Sequence, residues 1–365
     1  MCGISGFIIQ KSNPSLGLDS LKKMVSTLSH RGPNNRGYWN NISETQFIGH
    51  TRLSIMDLSE NGSQPMTSSS GQYVISYNGE IYNHWDIRKQ INRLKNTSWN
   101  STSDTETILE AIETFGLIET AKKIHGMFSI CIIDKKKNLL HLVRDKFGEK
   151  PLYYGFSDAN FLFASELKSI VSFPNFKKDI DRKSLNYFFN FSYIPEPYSI
   201  YKNISKLSPG TVLTLNLNTH KIISNEKFNT FCEDDNIQIT EENAVEQFDS
   251  KINLAIKDSM ISDVEVGSFL SGGIDSSLIT SVMQSQSSKK IKTFSIVFED
   301  LKYDEKYYSR NISKHLGTDH NEVLISSKDM IDISKKIPEI YDEPFADSSQ
   351  IPTVLISQFA SKKVK

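Results

Sequence analysis

Short runs rich in β-branched and aromatic residues, separated by Gly and Asn, dominate the first two hundred residues. Gly3–Ile9, Gln46–Leu53, Tyr73–Asn78, Met127–Asp134, Leu139–Arg144, Leu152–Tyr154, Phe161–Ala164 and Val212–Leu217 have the content that a pleated surface favours and are predicted as strands. Two stretches read differently. Leu18–Leu28 and Asp104–Phe115 are predicted helices, the second with Ile108, Leu109, Ile112 and Phe115 at helical spacing behind Ser103 or Asp104 as a cap. Strands of this kind interleaved with few helices predict a mixed α+β layered domain.

The texture changes near Asn229–Asn243, where the acidic stretch Cys232–Asn236 has no periodicity and reads as a linker. Thr240 is then predicted to cap a helix with Val245, Phe248, Ile252, Ala255 and Met260 on one face. Strand Val264–Leu270, a glycine turn and a helix follow. Strand Thr293–Phe298, helix Asp304–Leu316, strand Glu322–Ile325 and helix Ile351–Ser361 complete an alternation that predicts a parallel α/β sheet. The chain thus reads as two domains, 1–217 and 240–365, and its length of 365 residues agrees.

Composition narrows the function classes. Lys plus Arg number 42 and Asp plus Glu 43, so the net charge of −1 speaks against a nucleic-acid or anionic-membrane partner. Hydrophobic content of 38% with 10% aromatics is enough for true cores. No apolar run approaches the ~18 residues of a spanning helix. The apolar opening Met1–Ile9 lacks a basic flank and makes a poor signal peptide. Three cysteines, Cys2, Cys131 and Cys232, are too few and scattered for a disulfide framework or a zinc site. A soluble, cytoplasmic, globular protein is expected.

Cys2 is the first candidate for chemistry. Removal of Met1 would place its thiol beside a free α-amine, a nucleophile with its own base, since an α-amine has a reference pKa of about 7.7–8.0. Taken alone, Cys2 reads sooner as a small apolar residue opening a strand than as a nucleophile. Asn78-Gly79 alone is a hairpin-turn signal, Asp104 alone a helix cap, and Arg52 alone a surface ion pair of little worth. His30, His50, His84, His125 and His141 show no metal-ligand spacing and read as structural, and Cys131 as a buried core thiol.

In order along the chain stand His30-Arg31-Gly32-Pro33-Asn34, Arg52–Asp57, Tyr77-Asn78-Gly79-Glu80-Ile81-Tyr82-Asn83, Ser103–Glu106, Arg144-Asp145 and Phe163–Glu166. With Cys2 at the terminus, the set resembles the glutaminase domain of class II glutamine amidotransferases, the N-terminal-nucleophile (αββα layered) type. The resemblance implies that Cys2 attacks the glutamine side-chain amide while Asn78 and the N–H of Gly79 form the oxyanion hole. It implies also that Arg52 takes the substrate α-carboxylate, and that Asp104, with Glu80, accepts the α-ammonium. A zwitterionic amino acid needs one cation and one anion across a pocket, so the residue types suit these roles.

The second candidate is Ser271-Gly272-Gly273-Ile274-Asp275-Ser276-Ser277 between a strand and an apolar helix. Backbone N–H groups and the helix dipole favour anions there, and the two glycines allow close backbone approach. No Gly-Lys-Ser/Thr ending is present. The string resembles the pyrophosphate loop of ATP pyrophosphatases, and following a glutaminase domain it resembles the glutamine-hydrolysing asparagine synthetases. That resemblance implies ATP contacts at Leu270 and Ile296, Mg²⁺ held by Asp275, and glutamine, aspartate and ATP as substrates. It also marks Tyr303-Asp304-Glu305 and Glu343–Ser349 as family segments, and it raises pairing of subunits as a homodimer. His315 and His320 share no helical face and suggest no metal.

The sequence stops at Lys365, before the second acidic loop and helical region that the resemblance would supply. A truncated synthetase half with glutaminase activity at most is therefore expected. The other readings are an amidotransferase of the same build acting on another carboxylate, such as a sugar acid, and a non-catalytic fragment.

Overall fold

The alternation in Ile4, Phe7, Ile8 and Ile9 sorts the first strand's side chains into two cores, because successive residues of a strand face opposite sides. Ile4 and Ile8 pack with Cys131, Ile133, Leu140, Leu142, Leu213 and Leu215 in one fully buried cluster. Phe7 and Ile9 join Leu21, Met24, Val25, Leu167 and Ile170 in another. A computed structural model describes residues 1–11, 13, 15–229, 239–299 and 306–365. Contacts divide it into two units, Met1–Cys232 with Asp342–Phe345, and Glu233–Tyr341 with Ala346–Lys365.

The first unit contains strands β1 (Gly3–Ile8), β2 (Asn35–Asn40), β3 (Gln46–Arg52), β4 (Met66–Thr67), β5 (Tyr73–Ile81), β6 (Gly126–Asp134), β7 (Leu139–Arg144), β8 (Tyr153–Ser157), β9 (Asn160–Ala164), β10 (Ile204–Lys206), β11 (Thr211–Asn216) and β12 (Lys221–Lys227). Its helices are α1 (Leu18–Ser26), α2 (His84–Leu94), α3 (Asp104–Phe115), α4 (Leu117–Lys123), α5 (Leu167–Val171) and α6 (Arg182–Phe191). The strands form two antiparallel sheets, ordered β10-β8-β9-β1-β3-β2 and β12-β11-β7-β6-β5-β4. The core containing Ile4 and Ile8 lies between them. Helices α1 and α5 cover one outer face, and α3 and α4 cover the other through Ile108, Leu109, Ile112 and Ala121. The layering is αββα, as the resemblance implied.

The second unit holds α7 (Glu241–Ser259), β13 (Gly267–Phe269), α8 (Ile274–Gln286), β14 (Lys292–Phe298), α9 (Lys306–Leu316), β15 (Asp319–Ile325), α10 (Ser327–Ser334), α11 (Ile337–Ile340) and α12 (Gln350–Ala360). Its three strands pair in parallel in the order β13-β14-β15. Thr240 caps α7, its hydroxyl accepting from Asn243 N at 3.3 Å.

Some expectations need correction. Val245 and Phe248 do not lie on a buried face of α7: they are 61% and 56% exposed, and the face that packs on Val282, Met283 and Ile291 is Ile252, Ile256 and Met260. The strand expected over Val264–Leu270 is only Gly267–Phe269. Strand β5 runs three residues past Asn78, so Asn78-Gly79 is not a turn but lies opposite Ser129 and Phe128. The acidic stretch Cys232–Asn236 and Tyr303-Asp304-Glu305 lie outside the described residues.

Candidate active site

Cys2 immediately precedes β1, and its position is fixed from three sides. Leu53 N donates to Sγ at 3.4 Å, Sγ lies 3.7 Å from Leu53 O, and the Cys2 carbonyl accepts from Arg31 Nε at 2.8 Å. Leu53 follows β3, which pairs with β1 residue for residue from Gly3↔Thr51. Burial pushes the thiol up, and burial lowers the chain's terminal amine, here on Met1, to about 6. Near pH 7 the first shift keeps the thiol neutral, and the second means that burial at this terminus favours an uncharged amine on Met1.

All six residues expected around glutamine line one cavity: Cys2, Arg52, Asn78, Gly79, Glu80 and Asp104. Arg52 ends β3, with Nη1 donating to Ser59 O at 2.7 Å and Nη2 to Asp57 O. Two backbone carbonyls therefore hold a buried guanidinium that has five donors in all. Asp104 opens α3, whose cap Ser103 accepts from Thr105 N at 3.2 Å. Its Oδ2 accepts from Tyr77 OH at 2.7 Å and from Ile81 N at 3.0 Å, which ties the helix start to β5.

Asn78 is 1% exposed, and neither its Nδ2 nor its Oδ1 has a hydrogen-bond partner among the described residues. Native structures rarely leave a buried carboxamide unmatched, and such a group calls for an explanation. Gly79 allows the adjacent strand to come close: a Cβ there would run into Met127 O and stand 2.7 Å from Phe128 Cα. Burial, reinforced by Asp104, pushes the Glu80 carboxyl up to about 7, with Lys150 and the terminal amine pulling it down. Burial likewise raises Asp104, against the donors on its oxygens.

Sequence reasoning missed Gln64 and Lys150 and gave no role to Tyr77, although it heads the Asn78-Gly79 motif; all three line the same cavity. Gln64 Oε1 accepts from Tyr77 N at 2.6 Å while its Nε2 donates to Thr105 Oγ1 at 3.2 Å. Lys150 is buried, from the loop after β7, and no spacing rule connects it to Glu80. Only a buried cation in a pocket of two carboxylates would have marked it.

In the second unit the loop Ser271–Ser277 runs from the carboxyl end of β13 into α8. Gly272 has φ +89°, and a Cβ there would stand 2.7 Å from Tyr308 Cβ and 2.9 Å from Ser309 N. Ser271 Oγ and Ser276 Oγ are 3.0 Å apart, and Ser277 Oγ donates to Gly273 O at 2.6 Å. Leu270 N donates to Phe294 O at 2.9 Å, and Ser295 Oγ donates to Leu270 O, so Leu270 is locked beside β14, which also carries Ile296. Asp275 stands exposed in the first turn of α8. Among the described residues no group of three or more His, Cys, Asp or Glu is placed to hold a metal unaided. No described helix is long and apolar enough to cross a membrane.

Residues 1–228 match a glutamine amidotransferase domain family, and residues 247–365 match the asparagine synthase family. A Methanocaldococcus jannaschii protein, named as a second glutamine-hydrolysing asparagine synthetase, is 36% identical over 384 residues, covering 100% of this chain and 72% of that protein. Glutamine-hydrolysing asparagine synthetases 1 and 3 of Bacillus subtilis are 34% and 32% identical, covering 100% and 94% of this chain. The chain spans 56% and 57% of those two relatives' lengths. The two domain matches in succession and the 36% identity together show that the chain belongs to the glutamine-hydrolysing asparagine synthetase family.

Proposed function

We propose that this protein hydrolyses glutamine at Cys2 and delivers the ammonia to an aspartyl adenylate, giving asparagine, glutamate, AMP and pyrophosphate. The observation that carries the first half is the unmatched Asn78 carboxamide in one cavity with Cys2, Arg52 and Asp104. Once Met1 is removed, the thiol proton passes to the α-amine of Cys2 and sulfur attacks the amide carbon. The resulting oxyanion accepts from Asn78 Nδ2 and Gly79 N–H; one such donor contributes about 2.7–4 kcal/mol to the transition state. Collapse expels ammonia with the proton the amine held. Water then opens the thioester, releasing glutamate and restoring the thiol. Arg52 pairs with the substrate α-carboxylate, and Asp104 with Glu80 receives its α-ammonium.

In the second unit, N–H groups at the start of α8 and the hydroxyls of Ser271, Ser276 and Ser277 bind the ATP pyrophosphate. Gly272 and Gly273 admit it, and Leu270 and Ile296 flank adenine and ribose. Asp275 is the residue that would hold Mg²⁺, and a single carboxylate fits, because this ion is commonly held by one or two carboxylates together with phosphate oxygens. The bound ion would neutralise phosphate charge as pyrophosphate departs. The test is ammonia release from glutamine, with pyrophosphate followed when ATP and aspartate are added. Ammonia dependent on Cys2, and pyrophosphate dependent on aspartate, support the proposal; ammonia from a Cys2→Ala variant overturns it.

A further inference from the structure

Beyond the pocket, a line of charged side chains starts at the nucleophile and ends on a segment distant in sequence. Arg31, which holds the Cys2 carbonyl, donates from Nη1 to Glu166 Oε1 at 2.7 Å. The other oxygen of Glu166 accepts from Lys168 Nζ at 2.8 Å. Lys168 then meets Asp342 twice, its backbone N donating to Oδ2 at 3.0 Å and its Nζ lying 3.3 Å from Oδ1. The side chains of Arg31, Glu166, Lys168 and Asp342 are 6%, 16%, 22% and 12% exposed. Charge-assisted bonds out of water are stronger than neutral ones and polarise one another along a chain.

The adjacent residue doubles the attachment. Glu343 accepts from Ile200 N at 2.8 Å and Tyr153 OH at 3.2 Å and pairs with Lys206 at 2.7 Å. Asp342–Phe345 belongs by its contacts to the first unit, yet the chain enters it from Tyr341 and leaves it into Ala346, both of the second. A surface strap would need no such seating; two acidic side chains are here set on two lysines, and one of these lysines also serves Glu166.

We infer that Asp342 is a positioning residue for Cys2, acting through Lys168, Glu166 and Arg31, so that glutamine hydrolysis follows the seating of a strap whose two ends continue into the ATP-type unit. This rests on the reading of Cys2 as the nucleophile. Without the Asp342 carboxylate, Lys168 is shared differently, Glu166 shifts its hold on Arg31, and the Cys2 carbonyl loses its fixed partner. Substrate contacts are untouched, so turnover should fall while glutamine affinity stays.

The experiment compares the full chain with Asp342→Asn, Glu166→Gln, the double variant, Asp342→Glu, and Asp158→Asn as an exposed-carboxylate control, by glutamine hydrolysis and thermal melting. Asp342→Asn should lower kcat roughly 3- to 30-fold with KM within about twofold, and the double variant should be no slower than Glu166→Gln alone. Asp342→Glu should recover part of the loss, and Asp158→Asn should match the unaltered chain. An unchanged kcat in Asp342→Asn, or losses that multiply in the double variant, overturns the inference. If Asp342→Asn melts early, Lys168→Met gives the same test: it should reproduce the kcat loss and make Asp342→Glu silent on top of it, and an additive effect overturns the inference. Hydrolysis that survives Cys2→Ala, or none in the unaltered chain, removes the nucleophile reading itself; an active, Cys2-dependent chain indifferent to Asp342 removes only this inference.

Discussion

Asn78 offers a perturbation whose effects on stability and on rate should run in opposite directions. Its Nδ2 and Oδ1 are buried and unmatched among the described residues, and each such group costs roughly 1–3 kcal/mol in a folded protein. Asn78→Leu keeps the branched shape and removes both polar atoms. Against that gain stands a repacking cost of up to about 1.5 kcal/mol for a substitution of similar volume. The net should be a stabilisation of roughly 0.5 kcal/mol or more, which raises the melting temperature by at least about 1–2 °C for a unit the size of Met1–Cys232. Catalysis should move the other way, since loss of an oxyanion donor lowers kcat about 10²- to 10³-fold. Differential scanning fluorimetry and ammonia release on the same samples decide it. A variant that melts several degrees lower yet keeps kcat within threefold would refute the reasoning and make the carboxamide a structural group.

Other expectations follow from the same geometry. Lys150→Met removes a cation that holds Glu80 down from a value already at about 7, so less of Glu80 is ionised at neutral pH; KM for glutamine should rise at pH 7 and recover toward pH 8.5, as steady-state kinetics at the two pH values would show. For Glu166, burial is outweighed by bonds from His30, Arg31 and Lys168, which hold the carboxyl well below its ordinary 4.5. Its stabilising contribution is therefore full above that value and lost as pH falls through and below it, so melting curves of the unaltered chain and Glu166→Gln should converge in acid and separate near neutrality. Gly272→Ala combines φ +89° with a 2.7 Å approach to Tyr308 Cβ; it should cost about 1–3 kcal/mol in the second unit and weaken ATP binding, read by melting and by nucleotide titration.

Legibility in the sequence differed between elements for physical reasons. Leu139–Arg144 and Asp104–Phe115 could be read to the residue, because one is a dense apolar run and the other has a cap and a clean helical stripe. Asn35–Asn40 could not: its polar residues have little intrinsic preference for a strand and form one only by pairing with β3. Helix α6 has an N-cap signal in Asp181, which accepts from Ser184 N at 3.2 Å, but its run is aromatic-rich, a composition that strands favour. The candidate site residues were legible as an ordered set of motifs. Arg31, Glu166, Lys168 and Asp342 became a unit only in three dimensions, since their link spans separations of up to 174 residues.

The central claim is that the thiol of Cys2, exposed as the first residue of the mature chain, attacks glutamine. Its most direct test is mass spectrometry after incubation with an electrophilic glutamine analogue, with and without excess glutamine. The account predicts one adduct, on a terminal peptide that begins with Cys2 and lacks Met1, suppressed by glutamine and absent in Arg52→Met at low analogue concentration. An adduct on Cys131 instead, or an unmodified Cys2 in a folded chain from which Met1 has been removed, would contradict it.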